Sequence, residues 1–119
     1  MLVDLVQDHD LEQLLARSKT DPVLIFKHST QCSISAQAYE EFTDFIEGFR
    51  DLLCGTVLVI ENRKLSNMIA ERFGVRHESP QALLIKEGRV VWHASHWSIT
   101  SGSLSDALVK NAQSTNRRN

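Results

Sequence analysis

An α/β fold, a mixed sheet of four to five strands flanked by helices, is predicted by three features of the sequence. Two short, branched apolar runs, "VLIFKH" from Val23 and "GTVLVIE" from Gly55, each precede a segment whose apolar residues recur at steps of three and four. The stretch "ALLIKEGRVVWHA" reads as two strands joined at Glu87-Gly88, the residue pair of a tight hairpin. At 119 residues the chain holds one hydrophobic core and is too short for two.

The elements follow in order. Leu11, Leu14 and Leu15 lie at helical spacing, and Asp10 with Gln13 resembles a capping box, so a helix is expected over about 10 to 18, stopped by "TDP". The first core strand, Val23 to His28, comes next. Ile34, Ala38, Phe42, Phe45, Ile46 and Phe49 then draw one stripe, which predicts a helix from 33 to about 50. After the second apolar run, Leu65, Ile69, Ala70 and Phe73 form another stripe. Gly74 suits the left-handed position past its last turn. The hairpin follows, then an amphipathic segment with Leu104, Ala107, Leu108 and Ala112; Leu2 to Val6 could add an edge strand. A right-handed crossover makes the first two core strands parallel, and the hairpin extends the sheet antiparallel. By fold-level analogy this order is the thioredoxin-like fold. Residues 1–112 form the expected single domain. The polar stretch "QSTNRRN", 113–119, is an expected disordered tail.

Composition excludes several classes. Thirteen basic and fifteen acidic residues give a net charge of −2, and the pI is near 6.2, so no basic excess exists to neutralise phosphates and nucleic acid is not an expected partner. No apolar run approaches the ~18 residues of a membrane span, and "MLVDLVQDHD" has neither a basic nor an apolar leader region. The expected setting is cytoplasmic, with no membrane association. There thiols stay reduced, so Cys32 and Cys54 need an explanation other than a structural disulfide.

"FKHSTQCSISA", residues 26 to 36, supplies one for Cys32. The cysteine falls where the strand gives way to the helix, and unpaired amides and the dipole at a helix N-terminus favour the thiolate, the nucleophile of thiol exchange. Ser35 holds the second position of a C-x-x-S motif, from which its hydroxyl could donate to the sulfur. A small buried cysteine would fit the same spacing. Ser79-Pro80, between the second core helix and the hairpin, occupies the place of the cis-proline that thioredoxin-like proteins carry beside their cysteine. The missing N–H of Pro80 leaves the Ser79 backbone free to pair with an extended substrate.

His28, four residues before Cys32, is a candidate for tuning the thiol, and His77 lies near the proline turn. His93 and His96, three apart on a strand, would point to opposite faces, so no metal site is expected. Lys27, Arg63, Lys64 and Arg76 could attract an anionic thiol, and Trp92 and Trp97 read as core or edge packing. Cys54 is placed before its strand, at the end of the sheet away from Cys32 and out of disulfide range.

"FKHST-x-C-x-IS" at 26–35 and "HESPQALLIKEGRVVWHASHWSIT" at 77–100, with the helix between them, resemble the bacilliredoxin-like monothiol proteins of the bacillithiol system, over about Asp10 to Val109. The resemblance implies a thiol-disulfide oxidoreductase that takes bacillithiol from protein mixed disulfides onto Cys32. Thr30, Gln31, Ser33, Ser79 and Pro80 would then contact substrate. Bacillithiol would be a co-substrate with no tightly bound cofactor and the partners bacillithiolated proteins; a monomer is one option for the chain, whose oligomeric state the sequence leaves open. Members commonly carry proline after the cysteine; Ser33 leaves this chain one more backbone donor. Two other readings stay open: an iron–sulfur carrier, since one-thiol C-x-x-S glutaredoxins hold clusters although "CSIS" lacks their glycine, and an interaction module with an inert Cys32.

Overall fold

The computed structural model describes the backbone of residues 1–116 and the side chains of residues 1–112. Among the described residues, five strands and four α-helices follow in the order β1 (Leu2–Asp4), α1 (Asp8–Arg17), β2 (Val23–His28), α2 (Ser33–Glu47), β3 (Leu53–Leu58), α3 (Arg63–Phe73), β4 (Gln81–Lys86), β5 (Arg89–Ser95) and α4 (Ser101–Asn116). The sheet order is β1-β3-β2-β4-β5, with β1, β3 and β2 parallel and β4 and β5 antiparallel. This is the thioredoxin fold. Among the described residues, no helix is long and apolar enough to cross a membrane.

Strand β2 shows why two layers of helix are needed. Its side chains alternate between faces, so Leu24 and Phe26 join Ala38, Phe42 and Phe45 of α2 and Leu104 and Ala107 of α4, whereas Val23 and Ile25 join Leu11 and Leu14 of α1 and Leu65 and Ile69 of α3. Each face is a separate apolar cluster. Gly55 serves the second one: a Cβ there would stand 2.7 Å from Leu5 and 2.9 Å from Leu14, so only a residue without a side chain lets that layer close onto β3.

Several boundaries differ from the expected ones. Helix α1 starts at Asp8, because Gln7 is its cap and Asp10 is the third helical residue, accepting from the Gln7 amide at 3.0 Å. Strand β3 starts at Leu53, so Cys54 lies inside it, paired with Leu24 of β2 and Leu2 of β1. Helix α2 ends at Glu47, with Gly48 closing it. At the hairpin Glu87 and Gly88 both have positive φ (53° and 77°), and Gly74 is left-handed at the end of α3 (φ 65°). Of the expected tail, residues 113–116 continue α4 and 117–119 lie outside the described residues.

Candidate functional site

The site begins where β2 runs out. His28 is the last strand residue, Ser29 to Gln31 turn the chain, and Cys32 is the N-cap of α2 with extended backbone (φ −123°, ψ 126°). The Cys32 carbonyl accepts the first bond of the helix, from Ala36 N–H at 3.0 Å. No turn precedes Ser33, Ile34 and Ser35, so their amides lack acceptors inside the helix and lie at the cysteine. Cys32 is half-buried, carries a free thiol and has no hydrogen-bond partner for its sulfur among the described residues.

Ser35 takes partners other than the expected one. Its hydroxyl is fully buried, accepts from the Ser29 amide at 2.9 Å and lies 2.7 Å from His28 Nδ1. A side chain in the first turn of a helix leans back toward the N-terminus, which aims Oγ into the loop that leaves β2. His28 rests on the Tyr39 ring, centroids 4.7 Å apart, and on Phe26 at 5.9 Å. Burial pushes His28 below the usual imidazole value, while the Glu61 carboxylate pulls the other way. Tyr39 and Glu61 carried no functional signal in the sequence; Tyr39 was legible only as Ser35 plus four on one helix.

The Ser79-Pro80 peptide bond is cis and immediately precedes β4. Gln81 pairs with Lys27, so this turn lies beside the end of β2, at the same end of the sheet as Cys32. Pro80 is buried, and the hydroxyl of Ser79 and Oε1 of Gln81 are buried without a protein partner. Across the turn His96 N–H donates to Pro80 O at 3.0 Å, and His96 Nδ1 lies 3.3 Å from Glu78 Oε1. Thr30, Gln31 and Ser33 are exposed on the loop around the cysteine.

Two of the lesser candidates are corrected. Trp97 does not pack in the core: it is 66% exposed in a single 3₁₀ turn, His96–Ser98, entered through a left-handed His96 (φ 55°), whereas Trp92 does pack against the α2/α4 cluster. Lys27 is no surface cation. Alternation along β2 sends it to the face opposite His28, where it is fully buried and its Nζ donates to Ser66 O at 3.0 Å and meets His77 Nδ1 at 3.2 Å. His77 is pushed down by burial first, then by the charges of Lys27 and Arg63.

Burial pushes the Lys27 ammonium from 10.5 to about 8, and it pushes the Cys54 thiol from 9.0 up to about 12. The signs oppose. Above pH 8 the folded chain releases a Lys27 proton that the unfolded chain keeps, so stability rises with pH; above pH 9 the folded chain keeps a Cys54 proton that the unfolded chain releases, so it falls. Urea unfolding should therefore show a rise from pH 8 to 9 that levels above 9. Lys27→Met should remove the rise, and a rise that persists in that variant would refute the assignment.

Cys54 is level with Leu24, whereas Cys32 lies beyond His28. Four residues of strand at ~3.3 Å each already span about 13 Å, well past the ~7 Å Cα limit for a disulfide. Both thiols are free.

Residues 3–104 match the family described as monothiol bacilliredoxin BrxC. Among solved structures, a thioredoxin-fold protein provisionally assigned as an oxidoreductase is 36% identical, with a TM-score of 0.81 over 89% of this chain and 92% of the other. Thioredoxins of Fasciola hepatica (18% identity, TM-score 0.74, 92% of this chain and 98% of that one) and Schistosoma mansoni (23%, 0.74, 92% and 96%) share the fold.

Proposed function

Because the chain belongs to the monothiol bacilliredoxin BrxC family, we propose that it removes bacillithiol from protein mixed disulfides, with Cys32 as the attacking and accepting thiol. Family and fold support a thiol redox role. The observation that carries the finer reading is a half-buried Cys32 at the open N-terminus of α2 with no second thiol in reach.

The Cys32 thiolate attacks the bacillithiol sulfur of the capped protein. A Cys32–bacillithiol disulfide forms, the bond to the protein sulfur breaks, and that sulfur leaves with the electron pair and takes a proton from solvent. One disulfide replaces another, so no oxidant or reductant is consumed. The amides of Ser33, Ile34 and Ser35 favour the attacking anion. The backbone of Ser79 beside Pro80 offers an extended substrate its pairing edge, and Thr30, Gln31 and Ser33 line its approach. A separate small thiol then attacks the adduct. Bacillithiol is thus a co-substrate, the proposed setting is the cytoplasm, and the chain acts as a monomer without a tightly bound cofactor.

Exposure to bacillithiol disulfide and, in parallel, to glutathione disulfide tests this by intact mass. One bacillithiol should add, in clear preference to glutathione. Equal glutathione addition would remove bacillithiol as the partner, and iron-bound, coloured protein after anaerobic purification would support the cluster carrier instead.

A further inference from the structure

The turn from His77 to Gln81, which carries Ser79-Pro80, begins and ends on one residue. Lys27 pairs with Gln81 in the ladder between β2 and β4, and its Nζ donates to His77 Nδ1 at 3.2 Å and to Ser66 O of α3 at 3.0 Å. Gln81 closes the bracket, donating from Nε2 to Arg76 O at 3.0 Å. Lys27 is fully buried and forms no ion pair among the described residues, so the His77 ring and the Ser66 carbonyl are the acceptors that offset the burial of its ammonium. An ammonium has protons and no lone pair. Nδ1 of His77 must therefore be bare, with the proton of the neutral ring on Nε2.

We propose that Lys27 is a positioning residue for substrate: by holding His77 it fixes the turn on which the Ser79 backbone meets an extended peptide. The inference rests on that edge being where substrate pairs, as the proposed reaction has it. Loss of the Lys27–His77 contact frees the leading end of the turn while Gln81 stays in its ladder, so the aim of the edge changes and the sheet does not. The contact needs a neutral ring. A proton on Nδ1 would set two cations 3.2 Å apart with no acceptor between them. The groups that face His77 are Lys27 of β2, Ser66 and Arg63 of α3, and Glu78 beside it in the turn. Partial burial opposes the charged ring first, then Lys27 and Arg63, and only Glu78 favours it. The turn is thus held at neutral pH and released as acid protonates His77.

The test compares two reactions of Cys32: with an extended peptide whose single cysteine carries a thionitrobenzoate cap, and with thionitrobenzoate disulfide, which has no peptide to pair. In each the Cys32 thiolate forms a new disulfide, and coloured thionitrobenzoate leaves with the electron pair of the broken one. The ratio of the two second-order rates cancels the ionisation of Cys32 and reads the edge alone. At neutral pH His77→Leu should lower the ratio about five- to tenfold, the worth of one backbone hydrogen bond. His77→Asn should keep it, because Oδ1 stands where Nδ1 stood and accepts from Lys27. Acid should lower the wild-type ratio and leave that of His77→Asn flat. A wild-type ratio in His77→Leu or in Lys27→Met, a ratio in His77→Asn as low as in His77→Leu, or a flat wild-type ratio in acid would each overturn the inference. His77 is exposed, so its variants leave the core intact whatever becomes of Lys27→Met. Nitrogen NMR of the wild type is independent of any variant: neutral His77 should carry its proton on Nε2, and finding it on Nδ1 would also overturn the inference. Neither probe carries bacillithiol. Failure of bacillithiol transfer while the ratios behave as stated would overturn the proposed reaction and leave the role of Lys27 intact.

Discussion

Cys32→Ser should give no bacillithiol adduct when mixed with a bacillithiol-capped protein, while the wild type and Cys54→Ala each accumulate one. A serine hydroxyl does not ionise near neutral pH and cannot attack a disulfide sulfur as a thiolate does. Cys54 cannot substitute. Burial pushes its thiol up to about 12, so the protonated form dominates at neutral pH, and it lies within β3 at the level of Leu24. The same distance keeps Cys54 from attacking a disulfide at Cys32. The adduct should therefore persist until an external thiol is added. A dominant mass loss of two protons, the mark of an internal disulfide, would refute the one-thiol route. An adduct on Cys32→Ser equal to that on the wild type would refute the site.

How far the sequence reaches depends on the range of the interaction involved. The β2 run, the Glu87-Gly88 hairpin and the left-handed Gly74 were legible because period and turn chemistry are local. So was the place of Cys32 as the N-cap of α2, since a strand, a short polar turn and an apolar stripe leave little else. The start of β3 was not, because Leu53 and Cys54 join the strand by pairing with β2 and β1. Lys27 misled for the same reason. A lysine at a strand end reads as solvated, and its burial depends on Ser66 and His77, 39 and 50 residues away. Spacing put Ser35 near Cys32, yet the direction of its hydroxyl is set by the Ser29 amide and the His28 ring, which only the path of the loop brings together. Trp97 stands exposed just past a left-handed His96, a local turn that the alternation of apolar residues along β5 does not encode.

Phe42→Ala should cause the largest loss of stability of any change outside the chemistry. Phe42 is fully buried between sheet and helix, and its ring stacks on Phe26 at 4.6 Å between centroids with the planes 3° apart. Truncation removes the apolar transfer energy and the aromatic contact together. It also leaves a cavity that α2 cannot close, since Ala38 and Phe45 on either side are already packed. Such changes cost about 3–5 kcal/mol, against a total of roughly 5–15 kcal/mol for a domain. For a chain of this size the loss corresponds to a fall in Tm of about 10–20 °C. The effect reaches the site through stacked rings: Phe42 supports Phe26 and Tyr39, and these two carry His28. Phe42→Leu keeps most of the volume and should lose far less. Trp97→Ala, which removes a larger but exposed ring, should stay within about 0.5 kcal/mol. Thermal unfolding of the three variants decides the point. A Trp97→Ala loss equal to that of Phe42→Ala would show that burial in the α2/α4 cluster is not what holds the site in place.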